Sequence, residues 1–263
     1  MPRSDDNRIN LVDDNKKLNE ICSDLTSVDL IALDTEFVRT NTFYGRLGLI
    51  QLFDGRNCYL IDPIEITDWK SFCSLIQQPN RTTVFHSASE DLSLLQTSLK
   101  TSPNCLFDSQ IAGAFLGLGF SLSYQAIVKL VLGEHVEKDV TRSDWLARPL
   151  SARQLQYAAE DVFHLPALET CLREQMVSSN KIDWFAEECS NIVLTAKGLE
   201  NQATWENAYS LVSNAWKLGI ESLECLQQLC FWREIQARKR NKPKAWIAKD
   251  LSLIHISEPT RPY

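Results

Sequence analysis

The sequence contains no apolar run approaching the roughly 18 residues that a membrane-spanning helix needs, so no span is expected. Its start, Met1 to Asn10, is polar and lacks the apolar core of a secretory leader. No Cys-x-x-Cys spacing occurs among Cys22, Cys58, Cys73, Cys105, Cys171, Cys189, Cys225 and Cys230. Scattered in this way, the cysteines argue against a zinc site or a disulfide framework and suit the reducing cytoplasm. The first 200 residues hold no internal repeat and no low-complexity tract. The chain also lacks an excess of positive charge. Its net charge of −7 by itself argues against a nucleic-acid partner.

What remains is an ordinary globular composition, 44% hydrophobic and 23% charged, in 263 residues. That length accommodates one large domain and part of a second. The charge is unevenly spread. Between positions 233 and 249, Arg233, Arg238, Lys239, Arg240, Lys242, Lys244 and Lys249 face only Glu234, a local balance of +6 that leaves −13 for the rest. The two regions therefore differ in electrostatic character.

Ile31, Leu33 and Phe37 alternate with Ala32, Asp34 and Glu36, the two-residue period of a half-buried strand. Asp34 and Glu36 then share one face, where like charges are costly unless a cation sits between them. Hard divalent ions such as Mg²⁺ take oxygen ligands of this kind. Most Asp-x-Glu pairs are no more than a solvated strand face, so the reading needs further carboxylates.

An amphipathic helix is expected over 11–28, before this strand. After it, Leu47 to Phe53 and Cys58 to Ile61 flank Asp54-Gly55-Arg56-Asn57, a hairpin signal. Trp69, Phe72, Cys73 and Ile76 recur at helical spacing, and Thr82 to His86 reads as a fourth strand. Ser87 and Glu90 match a capping box, which would start a helix with Asp91 in its first turn. A fifth strand is expected at Cys105 to Phe107, with helices over 108–116 and 122–132. Ser151 and Gln154 form a second capping box. The helix behind it carries Tyr157 and Asp161 one turn apart, until Pro166 ends or kinks it. Two more helices follow, one to Val177 and one over 184–196, with Gly198 as the stop. Residues 202–250 read as a small all-helical unit.

Asp34, Glu36, Asp91, Asp161 and Tyr157 thus stand out together. With them the sequence resembles the DEDD exonucleases, specifically the ribonuclease D family of the tyrosine-bearing branch. Asp34-Thr35-Glu36 matches the first exonuclease motif, His86-Ser87-Ala88-Ser89-Glu90-Asp91 the second, and Tyr157-Ala158-Ala159-Glu160-Asp161 the third. The likeness extends through Gly48-Leu49-Ile50-Gln51-Leu52, Phe107-Asp108-Ser109-Gln110 and Arg142-Ser143-Asp144-Trp145-Leu146, covering about residues 10–175. The histidine-bearing branch would place His at position 156, which here is Gln156. Gly45 stands where that family's loop carries proline.

The resemblance implies an α/β fold, a ribonuclease-H-like mixed sheet flanked by helices, followed by a small partial all-α domain. It implies two divalent cations, Mg²⁺ or Mn²⁺. Asp34 would bridge them, Glu36 and Asp161 would complete the first and Asp91 would hold the second, while Tyr157 orients the attacking water. The implied activity is 3′→5′ exoribonuclease cleavage releasing nucleoside 5′-monophosphates, in tRNA 3′-end maturation. A DNA proofreading exonuclease and a catalytically silent RNA-binding scaffold are the alternatives.

Phe37, Thr40 and Leu47 are candidates to hold the 3′-terminal nucleotide, or are core. His86 is a substrate contact or a structural hydrogen bond, and Trp145 stacks on a base or packs its loop. His135, in a polar loop, reads as merely exposed. The second unit resembles the start of an HRDC domain, through Phe231-Trp232-Arg233-Glu234 and residues 237–243. There Arg238, Lys239 and Arg240 would attract RNA phosphates. The boundaries expected are an exonuclease domain over 1–200, the partial HRDC-like unit over 202–250, and a non-native or disordered tail over 251–263.

Overall fold

A computed structural model describes residues 9–136 and 143–257 of the chain. Residues 1–8, 137–142 (with the motif's Arg142) and 258–263 lie outside the described residues. The chain divides into two compact units. One comprises the chain up to Val38 together with Arg46–Lys197; the other comprises Arg39–Gly45 together with the chain from Gly198. Loop 39–45 thus groups with the chain from 198 on and not with the strands on either side of it.

The first unit is a six-stranded mixed sheet flanked by helices. Its strands are β1 (Ile9–Val12), β2 (Leu30–Val38), β3 (Arg46–Phe53), β4 (Cys58–Ile61), β5 (Thr82–Phe85) and β6 (Cys105–Asp108). They lie in the order β1-β4-β3-β2-β5-β6. β2, β3 and β4 are antiparallel neighbours, while β5 and β6 continue from β2 in parallel. Asp34 and Glu36 therefore sit on an inner strand, with paired strands on both sides.

β1 is absent from the sequence reading, which began a helix at residue 11. Four residues with only Val12 buried carry no legible period. What makes them a strand is parallel pairing with β4, Ile9 against Cys58 through Val12 against Ile61. The helix proper, α1 (Asn15–Asp24), starts behind Asp14, whose carboxylate accepts from the Lys17 amide at 2.8 Å.

α2 (Lys70–Ile76), α3 (Ser89–Leu99), α4 (Ser109–Phe115), α5 (Tyr124–Leu132), α6 (Ala152–Phe163), α7 (Leu165–Ser178) and α8 (Ile182–Lys197) complete this unit. Their apolar stripes bury Ile31, Leu33, Ile50, Leu52, Leu95, Ala158, Val162 and Leu168 in one continuous core. Pro166 begins α7 rather than kinking a single long helix. No helix among the described residues is long and apolar enough to cross a membrane.

One local expectation fails. Ser87 and Glu90 do not form a capping box, because Ser87 adopts a left-handed backbone (φ 64°) and α3 has no side-chain cap. The buried Asp108 carboxylate takes that task from a distance. It accepts from the Ser87 and Ala88 amides at 3.0 and 2.7 Å, before α3. It also accepts from Gln110 and Ile111 at 2.9 and 3.3 Å, in the first turn of α4. One carboxylate thus caps two helix N-termini, where orphan amides and the helix dipole both favour a negative charge.

The second unit contains α9 (Gln202–Glu206), α10 (Ile220–Arg240), α11 (Lys244–Ile247) and α12 (Asp250–Ser257), with 3₁₀ turns at Ala208–Leu211 and Ala215–Lys217. Val212, Ala215, Leu226, Cys230 and Leu253 form its own small core. The stretch expected to be a tail begins as a helix, with Leu253 and Ser257 of α12 buried.

Replacing Asp108 by Ala removes the acceptor for four amides. Stability should fall by roughly 2–4 kcal/mol, measured as a lower urea midpoint. A loss below about 0.5 kcal/mol would show that solvent caps both helices equally well.

Candidate active site

Residues two apart on a strand share a face, so Asp34 and Glu36 leave β2 on the same side. Across the antiparallel pair Asp34 opposes Gln51 and Glu36 opposes Leu49, but Phe37 opposes Leu47. Gly48 is the extra residue of the resulting bulge, which re-aims the strand end directly beside Glu36. A side chain there has no room. A Cβ on Gly48 would lie 2.7 Å from both the Cβ and the carbonyl oxygen of Trp145.

Trp145 is buried, and its ring centroid lies 6.1 Å from that of Tyr157. Arg148 fixes the arrangement. Its guanidinium donates to the Gly48 and Trp145 carbonyls at 2.8 and 2.9 Å and to both oxygens of the buried Asp62 carboxylate.

α6 supplies the other wall. Its capping box forms as the sequence indicates: Ser151 Oγ accepts from the Gln154 amide, and the Gln154 side chain accepts from the Ser151 amide. Ala158, Ala159 and Val162 face the core, and Phe163 meets Phe53 of β3 edge-on at 5.2 Å. This registration brings Asp161 to the two strand acids. Asp34, Glu36 and Asp161 each offer a carboxylate oxygen, and these atoms lie within 4.8 Å of one another.

Asp91 enters from the first turn of α3. It is buried, accepts a hydrogen bond from the Thr35 hydroxyl, and stands outside the close triad, though its charge acts on Asp34.

Burial is the main force on these acids, and mutual repulsion adds to it. Glu36 is pushed up to about 8, first by burial and then by Asp161 and Asp91. Asp91 rises to about 7 by burial, against the lowering effect of the Thr35 hydroxyl. Asp161 also rises to about 7 by burial, opposed by the hydrogen bond that Tyr157 donates to it. Asp34, under the same burial and beside all three, sits well above the carboxylate range. The Tyr157 phenol is raised as well, by burial and then by Asp161, Glu36 and Asp34. It stays protonated at neutral pH and acts only as a hydrogen-bonding group.

A donor set made entirely of carboxylates suits a hard, oxygen-seeking cation, which would offset both the cost of burying these charges and their mutual repulsion. The residues present fit divalent metal binding.

The remaining candidates are placed as follows. Phe37 and Leu47 are half-buried at the strand ends, with Leu47 packed on the core. Thr40 is exposed in the loop that belongs to the second unit. His86 has both ring nitrogens engaged, with Ser109 Oγ at 2.9 Å and the Leu122 carbonyl at 3.0 Å, which is the structural hydrogen bonding of its two readings. Trp145 packs in the interior rather than offering its ring to solvent. His135 is exposed.

The run at 238–240 splits. Lys239 and Arg240 are exposed, whereas only 10% of the Arg238 side chain is. Arg238 pairs with Glu234 and Glu200 and lies over the rings of Phe43 and Trp205, 4.5 and 4.1 Å from their centroids. It holds the second unit together, including loop 39–45, whose Phe43 and Tyr44 amides donate to Asn241 Oδ1.

The motifs did not assign a role to Thr35, Gln51, Asp62, Asp108 or Arg148. Thr35 was visible between the two acids. Arg148 and Asp62 lie 86 residues apart, and nothing local links them.

Comparison with known proteins gives a consistent result. A family model described as 3′-5′ exonuclease matches residues 9–176. Ribonuclease D of Pseudomonas paraeruginosa is 39% identical over 245 residues, 93% of this chain and 64% of that protein. The chain therefore spans a little under two thirds of that relative's length. The crystal structure of Escherichia coli RNase D, described as an exoribonuclease involved in structured RNA processing, superposes with a TM-score of 0.83 at 35% identity, covering 95% of this chain and 66% of that one. Brucella melitensis NrnC bound to pGG superposes with a TM-score of 0.64 at 25% identity, covering 74% of this chain and 95% of that one.

The raised acids set a pH dependence for the cation-free protein. Their folded-state values exceed the unfolded values near 4, so the stability they allow is full below about pH 4 and is lost as pH rises through about 7 to 8. In EDTA the Tm should fall between about pH 5 and about pH 8, and Mg²⁺ should restore it most at the upper end. A Tm that rises over this window in EDTA would contradict the clustering.

Proposed function

The chain belongs to the 3′-5′ exonuclease family, and from that premise we propose that it is a 3′→5′ exoribonuclease releasing nucleoside 5′-monophosphates in the cytoplasm. The observation that carries the proposal is the triad Asp34, Glu36 and Asp161 around one small space, with the Tyr157 hydroxyl at its edge. Two divalent cations, Mg²⁺ or Mn²⁺, held by Asp34, Glu36, Asp91 and Asp161, would supply activation of the attacking water and charge stabilisation at the leaving oxygen.

The chain's own groups do the rest. Asp34, whose carboxylate feels the charge of all three other acids, would serve both cations. Thr35 fixes the carboxylate of Asp91 by donating to it. Tyr157 is the wrong group to take a proton, because a buried phenol beside three acids binds its own more tightly than usual. Its part is to orient the attacking water by hydrogen bonding, a matter of geometry. Trp145 and the Gly48 bulge hold the Tyr157 ring in place for this.

The substrate proposed is RNA, specifically tRNA precursors with 3′ extensions. Its support is the similarity to ribonuclease D and the exposed Lys239 and Arg240 at the end of α10. The second unit would act as a partial HRDC-like module that attracts phosphates. Phe37 and Leu47, at the strand ends beside Glu36, would hold the 3′-terminal nucleotide.

The test is cleavage of a labelled tRNA precursor and a matched DNA, with and without Mg²⁺. RNA should be shortened from its 3′ end only with the metal, and DNA more slowly. Full cleavage in excess EDTA would overturn the two-cation chemistry; faster cleavage of DNA would favour a proofreading-type enzyme. Asp34→Asn should be the most damaging single change. Tyr157→Phe keeps the ring and loses the hydroxyl, so turnover should drop roughly 10²- to 10³-fold while Mg²⁺ and RNA affinity hold.

Replacing Lys239 and Arg240 with Ala should weaken RNA binding and lower the log–log salt slope by about one unit per lost contact at most. An unchanged slope would mean that these cations do not meet RNA.

A further inference from the structure

Gln51 stands apart from its surroundings. It lies in β3, an inner strand, and is fully buried. Its neighbours in the strand, Ile50 and Leu52, and its partner Leu60 on β4 are all apolar and equally buried. An apolar side chain would be at home here. Yet neither the Nε2 nor the Oε1 of its amide has a hydrogen-bond partner in the fold. Buried amides are almost always satisfied, because leaving water without a replacement partner is costly.

The residue directly opposite on β2 is Asp34. Opposed side chains on an antiparallel pair share a face with Cβ atoms about 4.5–5.5 Å apart, so the amide is within a side chain's reach of that carboxylate. α6, which carries Asp161, covers the same face, as the Phe53–Phe163 contact shows. A carboxylate has about four acceptor positions. The Thr35 amide engages Asp34, and the remaining acceptor positions are enough for cations and for one further donor from the sheet.

We propose that Gln51 is a positioning residue, whose Nε2–H group holds the Asp34 carboxylate in the orientation that binds the cations. The proposal rests on the cation-holding role given to Asp34 above. It accounts for a polar residue at an apolar depth, since the amide has no hydrogen-bond partner elsewhere among the described residues and Asp34 stands directly opposite it. Outer partners of metal ligands act in this way elsewhere, and losing one weakens metal binding about 10- to 100-fold.

The test compares wild type with Gln51→Met, which keeps the length and apolar body of the side chain and loses the amide. Two readouts are taken: Tm without metal, and the Mg²⁺ concentration that gives half of the full thermal shift. The metal-free Tm of the variant should equal or exceed that of wild type, since an unsatisfied amide has been removed. Its half-shift concentration should rise about 10-fold or more, and saturating Mg²⁺ should recover most of kcat.

A metal-free Tm clearly below wild type would show that the amide serves the fold itself, and would overturn the proposal. So would an unchanged Mg²⁺ midpoint in the variant while wild type responds normally. Absence of any Mg²⁺ response in wild type would instead overturn the reading of the acids, a distinguishable failure. Gln51→Leu, shorter and of different shape, repeats the comparison should the Met variant pack poorly.

Discussion

Four carboxylates held close together in a mostly buried place are the constraint on which this structure turns. Left alone, Asp34, Glu36, Asp91 and Asp161 would separate or take up protons, and their raised affinities record that pressure. The fold resists it by attaching the acids to elements that cannot move independently. Asp34 and Glu36 belong to a strand paired on both sides, Asp161 to a helix pinned by Ala158, Ala159 and Val162, and Asp91 to a capped helix start. Stability given up at the site is offset in the core beneath it.

Much of that restraint is charged and buried at a distance from the acids. Asp108 ties the starts of α3 and α4 to one carboxylate, so the turn that carries Asp91 is set relative to β6. Arg148 ties Asp62, Gly48 and Trp145 together, and Trp145 in turn backs Tyr157. Buried ion pairs of this kind add little net stability, because desolvation cancels most of the attraction. What they add is registration. A hydrophobic replacement could hold the layers together, but it would not dictate which carbonyl meets which guanidinium.

The sequence made the acids legible because each lies in a short local pattern: Asp-x-Glu on a strand, an acid in a helix's first turn, and Tyr and Asp one turn apart. Strand and helix periods convert those spacings directly into shared faces. The ribonuclease-H-like sheet and the later helical unit were legible for the same reason. Four features were not. β1 exists only through its partner β4, and Gly48 becomes a bulge only against Glu36. Asp108 replaces a capping box that looked complete at Ser87 and Glu90. Loop 39–45 joins the second unit through Asn241 and Arg238, nearly two hundred residues further along the chain. Each depends on a long-range partner that no window of sequence contains.

The basic stretch shows why a charge count overstates an interface. Sequence alone gives seven cations between 233 and 249, yet Arg233 is buried against Asp250, Arg238 lies between two rings and two glutamates, and Lys244 meets Glu234. These three answer acids within their own unit, and their fields are largely cancelled at contact distance. The other exposed cations of the stretch, Lys239, Arg240, Lys242 and Lys249, are the ones with charge to offer a phosphate. Counterion release counts only phosphates actually neutralised, so any RNA surface here would be bounded by these residues rather than by the full run. The same logic applies to the acids at the other extreme: their charge is also uncompensated by the fold, and a cation is the partner that the chemistry of the donors selects.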